Sequence, residues 1–211
     1  MNFPEYVIES RSVLAEKVLE HVFLTGIAIG AAILIGIPLG ILIARRASLR
    51  GFVLGVAGVM QTIPSVAMLA LLMIPLGLGA RPAIGALILY ALLPIIVNTL
   101  TGLRGVNPDV LEAADGLGFT ARQKLWMVQL PLASPVIIAG IRTSAVITVG
   151  IATLSALIAA GGLGDFIFRG LAMGNYNSIV LGVVAASAMA LLLGGIIGWA
   201  ETILKRRLRQ A

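Results

Sequence analysis

Residues 112–131 read EAADGLGFTARQKLWMVQLP, and the interpretation of the whole chain depends on this stretch. It carries acidic residues (Glu112, Asp115), basic residues (Arg122, Lys124) and a tryptophan, but no long apolar run. Long apolar segments lie on both sides of it. A polar stretch of this length between such segments indicates a water-facing segment in the middle of a membrane protein.

The composition of the 211-residue chain argues against a soluble domain. Hydrophobic residues make up 59% of it and charged residues 11%, and the mean hydropathy is +1.07. Soluble domains carry about 25% charged residues. The apolar runs are unbroken and do not alternate in segments of about ten residues, as the strands of an outer-membrane barrel would. We therefore predict an all-α membrane protein.

Several kinds of site are excluded or disfavoured by residue counts. The chain has no cysteine, and one histidine, His21, cannot form a metal site alone, so we predict no metal. We interpret His21 as an interfacial residue at the start of the first span. The net charge is +6, but the basic residues cluster beside apolar segments, which is typical of membrane orientation. The expected surroundings are therefore membrane lipid, with no nucleic-acid partner.

Five segments are apolar enough to cross a bilayer, which takes about 20 residues. They are 22–43, 52–76, 83–103, 132–160 and 178–200. We predict a membrane domain over 19–201, after an extracytoplasmic segment 1–18 and before a basic cytoplasmic tail 202–211. Because residues 1–20 carry four glutamates, the first span is expected to be retained and not cleaved as a signal.

The segment between the last two spans is polar and rich in glycine. Residues 161–177 read GGLGDFIFRGLAMGNYN, which is too polar to span a bilayer. It is expected to form an external loop with a short helix near Asp165–Leu171.

The distribution of basic residues predicts the orientation. With the N-terminus outside, segments 45–50, 104–131 and 205–209 lie inside and hold ten Lys and Arg residues, against four in the outside segments. Cytoplasmic segments carry the excess of basic residues. The N-terminus is therefore predicted outside, the C-terminus inside, and segment 104–131 in the cytoplasm.

Segment 104–131 has the features of a helix followed by a glycine turn and a second helical stretch. Asn107 and Pro108 are favoured at a helix start, and Gly116 and Gly118 favour a break. Leu130 and Pro131 are expected to end the second stretch. One apolar face is predicted from Val110, Ala114, Leu117, Ala121, Leu125 and Val128. From these residues alone, the segment could lie on the inner leaflet or pack on its own bundle.

A spacing pattern favours a protein partner instead. The pattern consists of Glu112, Ala113, Ala114, Gly118, Leu130 and Pro131. It resembles the EAA motif of permease subunits of type I ABC importers, in a cytoplasmic loop before the last two spans. The resemblance implies a coupling helix that docks on a separate ATPase subunit. The sequence contains no Gly-Lys pair and so no phosphate-binding loop; the chain is expected to bind no cofactor, and the partner to use the ATP.

Four further stretches are similar to permeases for glycine betaine, carnitine and choline. They are QTIPS (61–65), LLPIIVNTLTGLRGV (92–106), PLASPVIIAGIRTS (131–144) and GGLGDFIFRGL (161–171), and the resemblance covers residues 19–201. It implies a non-enzymatic, alternating-access permease in the inner membrane of a prokaryote. A second permease subunit, identical or different, two ATPases and a separate extracytoplasmic solute-binding protein are implied as partners.

Polar residues within the spans are candidates for a translocation path or gate, because they are costly in lipid. Those in the second span are Gln61, Thr62, Pro64 and Ser65, and those in the fourth are Arg142, Ser144 and Thr148. A structural kink is the alternative for residues 61–65, and an anchor at the inner interface is the alternative for Arg142.

Other functions are less well supported by the residues. The same kind of permease could carry an amino acid such as methionine, since GGLGD-like turns also occur in those permeases. An ion-coupled secondary transporter needs ionisable residues in its spans, and Arg142 is the only one well inside a span. An intramembrane protease needs an activated serine or metal ligands such as H-E-x-x-H, and His21 alone does not supply them.

Overall fold

The computed structural model describes residues 2–210, although the side chains of residues 207–210 lie outside the described part. No strand occurs among these residues. The elements are α1 (Phe3–Glu9), α2 (Arg11–Arg45), α3 (Ala47–Thr62), α4 (Ser65–Leu76), α5 (Ala80–Arg104), α6 (Pro108–Gly116), α7 (Ala121–Gln123), a π-helical turn (Lys124–Gln129), α8 (Leu130–Ala152), a 3₁₀ segment (Thr153–Ile158), α9 (Gly164–Met173) and α10 (Tyr176–Gln210).

The fold confirms an all-α membrane protein with about five spans. Four helical segments are long and apolar enough to cross a membrane: Arg11–Arg45, Ala80–Arg104, Ala121–Ile158 and Tyr176–Arg206. The pair α3 and α4, which is bent by 101° at its break, gives a fifth span when the two helices are counted together. The predicted second span is therefore two helices at a sharp angle. The cause is Pro64, which has no amide hydrogen to continue α3 and precedes the first residue of α4.

The segments predicted to flank the membrane domain are largely helical. Most of the predicted N-terminal segment 1–18 is helical, because α1 fills its first half and α2 begins at Arg11. The predicted tail 202–211 continues α10 as far as Gln210, and Ala211 lies outside the described residues. The short helix predicted between the last spans is confirmed as α9.

Helix α5 lies at the centre of the bundle and packs against α2, α3, α4 and α8. Half of its apolar window is buried. Small residues permit the close approach: a Cβ atom added at Gly140 of α8 would lie 2.5 Å from the Cβ of Asn98, and one added at Gly40 of α2 would lie 2.5 Å from the Cβ of Thr99. Interiors tolerate no such overlap, so these glycines set the spacing of the central helices.

The spans run between two ends of the bundle, and each end contains a hydrogen bond between residues that are far apart in sequence. At one end lie residues 104–131, where Arg45 Nη2 donates to Ala121 O at 3.0 Å; this is the EAA end. At the other end lie residues 159–165, and the amide of Gly79 donates to Ile158 O at 2.8 Å; this is the GGLGD end. Helix α2 runs from the GGLGD end to the EAA end.

Candidate coupling loop and translocation site

Helix α6 begins where the sequence predicted a helix start. The Asn107 side chain accepts a hydrogen bond from the amide of Asp109 at 3.0 Å, and Pro108 is the first helical residue. Such a cap satisfies an amide that has no partner inside the helix. The helix presents Glu112 and Ala113 to the surface and buries Ala114.

A glycine turn ends α6. Gly118 has a φ of +79°, a conformation that residues with a Cβ rarely adopt. The amide of Phe119 donates to Ala114 O, and that of Gly118 donates to Asp115 O. These two bonds form a Schellman cap. The predicted arrangement of helix, glycine turn and second helical stretch is confirmed.

The second stretch starts with a reciprocal cap and is tied back to α6. The Thr120 hydroxyl accepts from the amide of Gln123, whose side chain accepts from the amide of Thr120 at 2.9 Å, which is a capping box. Lys124 Nζ lies 2.6 Å from the Asp115 carboxylate. The two halves of the loop are therefore held in a fixed relative position.

The prediction that Leu130 and Pro131 end the second stretch is wrong. Helix continues from Ala121 to Ile158, with a π-helical turn just before α8. Pro131 is the second residue of α8 and lies inside this continuous helix, where it removes one backbone hydrogen bond; the π-helical turn directly before it, in which the amide of Leu130 donates to Leu125 O, changes the hydrogen-bond spacing at that point. Leu130 is half-buried and Pro131 is exposed, at the point where the loop joins the bundle.

The predicted apolar face of the loop is only partly buried. Ala114 and Leu125 pack inside, whereas Leu117 is 76% exposed. The turn at Gly118 breaks the helical repeat, so the two halves cannot present one continuous face. Further apolar side chains, among them Trp126 and Met127, are exposed at the EAA end, and with Arg122 they line an open cavity of about 480 Å³.

The break between α3 and α4 is held by a reciprocal pair of hydrogen bonds to α5. Gln61 Nε2 donates to Tyr90 O at 2.9 Å, and the Tyr90 hydroxyl donates to Ile63 O. Tyr90 O has no helical donor of its own, because the residue four positions later is Pro94. Sequence reasoning missed Tyr90; the signal that could have revealed it is Pro94, which marks a carbonyl in need of a donor.

A cavity of about 360 Å³ opens at this break. It is lined by residues 61–65 together with Tyr90, Ile147 and Ile151. The four predicted residues of the second span are thus brought together around one space. The lining offers amide, hydroxyl and carbonyl groups and no formal charge.

The predicted residues of α8 do not line this cavity. Ser144 is fully buried, and its hydroxyl donates to Ala91 O of α5 at 2.7 Å. Thr148 is fully buried as well, and its hydroxyl has no hydrogen-bond partner within the described part of the chain. In this conformation both residues belong to the packed interior of the bundle.

Arg142 contacts α10, as an anchor would. Its Nη1 lies 3.9 Å from Glu201 Oε2, and its side chain is half-exposed while Glu201 is nearly buried. The guanidinium group lies beside Gly198, where an added Cβ atom would be 3.0 Å from it. The pairing places Arg142 at the contact between α8 and α10 and not in the cavity at residues 61–65.

His21 is buried among the helices, and its expected position at the membrane interface stays a prediction. Its side chain is fully buried in the bundle at the GGLGD end. Helix α2 begins ten residues before it, at Arg11, so His21 lies within the helix and not at its start. Both ring nitrogens have partners on other elements.

We expect Tyr90→Phe to weaken the fold at the break, because the part-buried carbonyl of Ile63 would lose its donor. Losing a hydrogen bond costs about 0.5–1.5 kcal/mol, which corresponds to a Tm lower by about 1–6 °C for a chain of this size. Thermal unfolding of the detergent-purified protein measures the change. The matched control is Tyr176→Phe, since Tyr176 is 80% exposed. Equal changes of Tm in the two variants would mean that the hydrogen bond from Tyr90 to Ile63 does not stabilise the break.

The apolar helices and the polar loop between them are those of a multi-pass helical membrane protein. Residues 36–210 match the family described as binding-protein-dependent transport system inner membrane component. The chain belongs to this family and is a multi-pass transport permease. The family resemblance expected from the EAA loop is thereby confirmed.

Characterised relatives match over most of their own length. The chain is 42% identical to the choline transport system permease protein OpuBB of Bacillus subtilis, over 89% of this chain and 87% of the relative. It is 41% identical to the carnitine transport permease protein OpuCD of Listeria monocytogenes, over 95% and 90%. It is 38% identical to the osmoprotectant import permease protein OsmW of Salmonella typhimurium, over 97% of each chain.

A solved structure supports the fold. The MetNI methionine ABC transporter in its inward-facing conformation contains a chain that superimposes with a TM-score of 0.84, over 93% of this chain and 98% of that one. The two sequences are 22% identical. The match establishes the helical arrangement of an ABC permease for this chain.

Proposed function

We propose that this chain is the permease subunit that forms the translocation path for an osmoprotectant such as glycine betaine, carnitine or choline. It works in an ATP-driven importer of the prokaryotic inner membrane. The observation that carries the proposal is the set of relatives, 38–42% identical over nearly the whole chain, whose names specify choline, carnitine or osmoprotectants. The chain itself catalyses no reaction and binds no cofactor in this proposal.

The EAA end is proposed as the docking surface for a separate ATPase. Glu112 and Ala113 are exposed on α6, while a Schellman cap and the pair Lys124–Asp115 keep that helix rigid. A preorganised helix loses little conformational entropy when it docks. The excess of basic residues at this end supports a cytoplasmic location, where ATP is available to the partner.

The cavity at residues 61–65 is proposed as part of the translocation path. Its neutral amide and hydroxyl groups can replace water around a zwitterion without holding it tightly. Tight recognition of a quaternary ammonium group usually needs an aromatic cage, and Tyr90 is the single aromatic residue in this lining. Selectivity is therefore assigned to a separate extracytoplasmic binding protein, and a second permease subunit completes the pore.

Solute uptake tests the proposal. The chain would be expressed with its ATPase and its binding protein in cells that lack other uptake systems for these solutes. We expect accumulation of labelled glycine betaine, choline or carnitine, and no accumulation of labelled methionine. Each assay would be repeated without the ATPase, which should abolish uptake.

Two results would contradict the proposal. Accumulation of methionine alone would leave an ABC permease but remove the osmoprotectant assignment. Uptake that persists without the ATPase and follows an ion gradient would indicate a secondary transporter instead.

A further inference from the structure

Three side chains on one face of α2 contact the first turn of α9 and the turn that precedes it. They are Lys17, Glu20 and His21, which lie three and four positions apart and therefore on the same side of the helix. Lys17 Nζ lies 3.0 Å from Asp165 Oδ2. Glu20 Oε2 accepts from the amide of Gly162 at 2.7 Å, and His21 Nδ1 accepts from the amide of Leu163 at 3.2 Å. We call these three residues the latch.

The latch fixes the two residues before α9 from a distant part of the chain. Helix α9 begins at Gly164, and the side chain of its N-cap residue, Leu163, forms no cap. Glu20 and His21 accept from the amides of Gly162 and Leu163, which directly precede the helix. The carboxylate of Glu20 also places negative charge near the positive end of the helix dipole.

The histidine connects three elements at once. Its Nε2 lies 3.1 Å from Val149 O near the end of α8, while its Nδ1 accepts a hydrogen bond from the amide of Leu163 before α9. An amide can only donate and a carbonyl can only accept, so both contacts are satisfied by the neutral ring with its hydrogen on Nε2. In a regular helix the amide of Thr153 would donate to Val149 O. Here that amide donates to Gly150 O and Ile151 O at the start of the 3₁₀ segment, so Val149 O can accept from His21.

The glycines of the GGLGD stretch make this contact possible. Gly161 and Gly162 have φ angles of +78° and +86°, which residues with a Cβ rarely adopt. A Cβ atom added at Gly164 would lie 1.8 Å from Thr153 O. The turn is therefore built to press its backbone against the 3₁₀ segment and to present its amides to α2.

We infer that Lys17, Glu20 and His21 are positioning residues that hold α9 in the orientation in which the permease receives its solute-binding protein. This inference rests on the proposed function, which places the GGLGD end outside the cell. The far half of α9 is open, with Leu171 59% and Met173 80% exposed. The near half is fixed by the latch and by packing on α10, where the Ser178 hydroxyl donates to Phe166 O at 2.7 Å.

The first test measures the position of α9 without any partner. Because the chain has no cysteine, Met173→Cys gives one site for a spin label on purified permease. We expect His21→Ala to increase the label's mobility, and His21→Asn, which keeps an acceptor near the Nδ1 position, to restore most of the immobilisation. Leu19→Ala, two positions before His21 on a different face of α2 and 70% exposed, is the control that should change nothing.

Unchanged mobility in His21→Ala would overturn the latch. If that variant does not accumulate in the membrane, Glu20→Gln takes its place, because it keeps the side chain's size but weakens the contact to the Gly162 amide. If the label is as immobile in the tested variant as in Met173→Cys with Glu20 and His21 intact, the latch does not position α9, and its packing on α10 is sufficient.

The second test measures binding-protein-stimulated ATP hydrolysis by the complete importer in proteoliposomes. For His21→Ala we expect the binding-protein concentration at half-maximal stimulation to rise about tenfold, with the maximal rate within about twofold of the unmutated importer. His21→Asn should restore the lower concentration. A residue that serves folding alone would lower the maximal rate and leave that concentration unchanged.

The two failures can be distinguished. If the unmutated importer shows no stimulation by its binding protein, the proposed function is wrong, whatever the spin label shows. If the unmutated importer is stimulated and His21→Ala has the same half-maximal concentration, the positioning role is wrong and the proposed function stands.

Discussion

Glu112→Lys is expected to reduce uptake of labelled glycine betaine at least about a hundredfold, without lowering the amount of permease in the membrane. Glu112 is exposed, and none of the hydrogen bonds or ion pairs within the described residues involves it. Its replacement should change stability by no more than about 0.5 kcal/mol. Losing a charged contact at a docking interface costs about 2–5 kcal/mol, so the effect should fall on the complex with the ATPase.

A charge reversal at the opposite end of the bundle is the control. Glu9 is exposed at the end of α1, far from the EAA loop, and Glu9→Lys should change neither the amount of permease in the membrane nor its binding to the ATPase. Glu112→Gln, which keeps a hydrogen-bond acceptor, should retain part of the activity. Full uptake by Glu112→Lys at normal amounts of protein would mean that α6 does not dock where we propose.

Gly164→Ala is expected to destabilise the permease more than any other single methyl addition described above. The new Cβ atom would lie 1.8 Å from Thr153 O and 3.0 Å from the Cβ of Ala156. A backbone atom cannot move aside as a flexible side chain can. Overpacking costs about 1–3 kcal/mol and sometimes more, and we expect the upper end, with a Tm lower by at least about 5 °C.

Thermal unfolding in detergent, with Gly26→Ala beside it, tests this expectation. A Cβ atom added at Gly26 meets nothing within 4 Å, and alanine favours the helix by about 1 kcal/mol over glycine. The control should therefore hold or raise its Tm. Similar Tm values for the two variants would show that the turn before α9 can shift away from the 3₁₀ segment.

The spans and the loop could be predicted because their signals are local. Apolar runs of about 20 residues identify membrane helices without any knowledge of what they pack against. Asn107, Pro108 and Gly118 mark the start and end of α6 by their own backbone preferences. The structure places each of them as the sequence indicated.

The contacts between elements could not be predicted, because their partners are far apart in sequence. His21 meets residues 128 and 142 positions away, and Tyr90 meets Ile63 at 27. No periodicity encodes such pairs. Ser144 and Thr148 show a related limit: a small polar residue in an apolar helix has the same appearance in the sequence whether it faces a neighbouring helix or a cavity.

The 101° bend between α3 and α4 was only partly foreseeable. Pro64 predicts an interruption, since it cannot donate to the helix before it. The angle depends on the contacts that the break makes with α5. The Tyr90 hydroxyl donates to the carbonyl of Ile63, and the Gln61 side chain donates to the carbonyl of Tyr90. Local sequence therefore located the hinge, and tertiary packing set its angle.

Helix α2 connects the two ends of the bundle mechanically. Near one end, His21 and Glu20 contact the turn before α9, and at the other end Arg45 holds Ala121 of the EAA loop. The 24 residue steps from His21 to Arg45 span about 36 Å as a helix. A single helix, with Pro38 inside it, thus reaches both ends of the bundle; under the proposed function, a tilt of α2 caused by ATPase docking at the EAA end would also move the turn before α9.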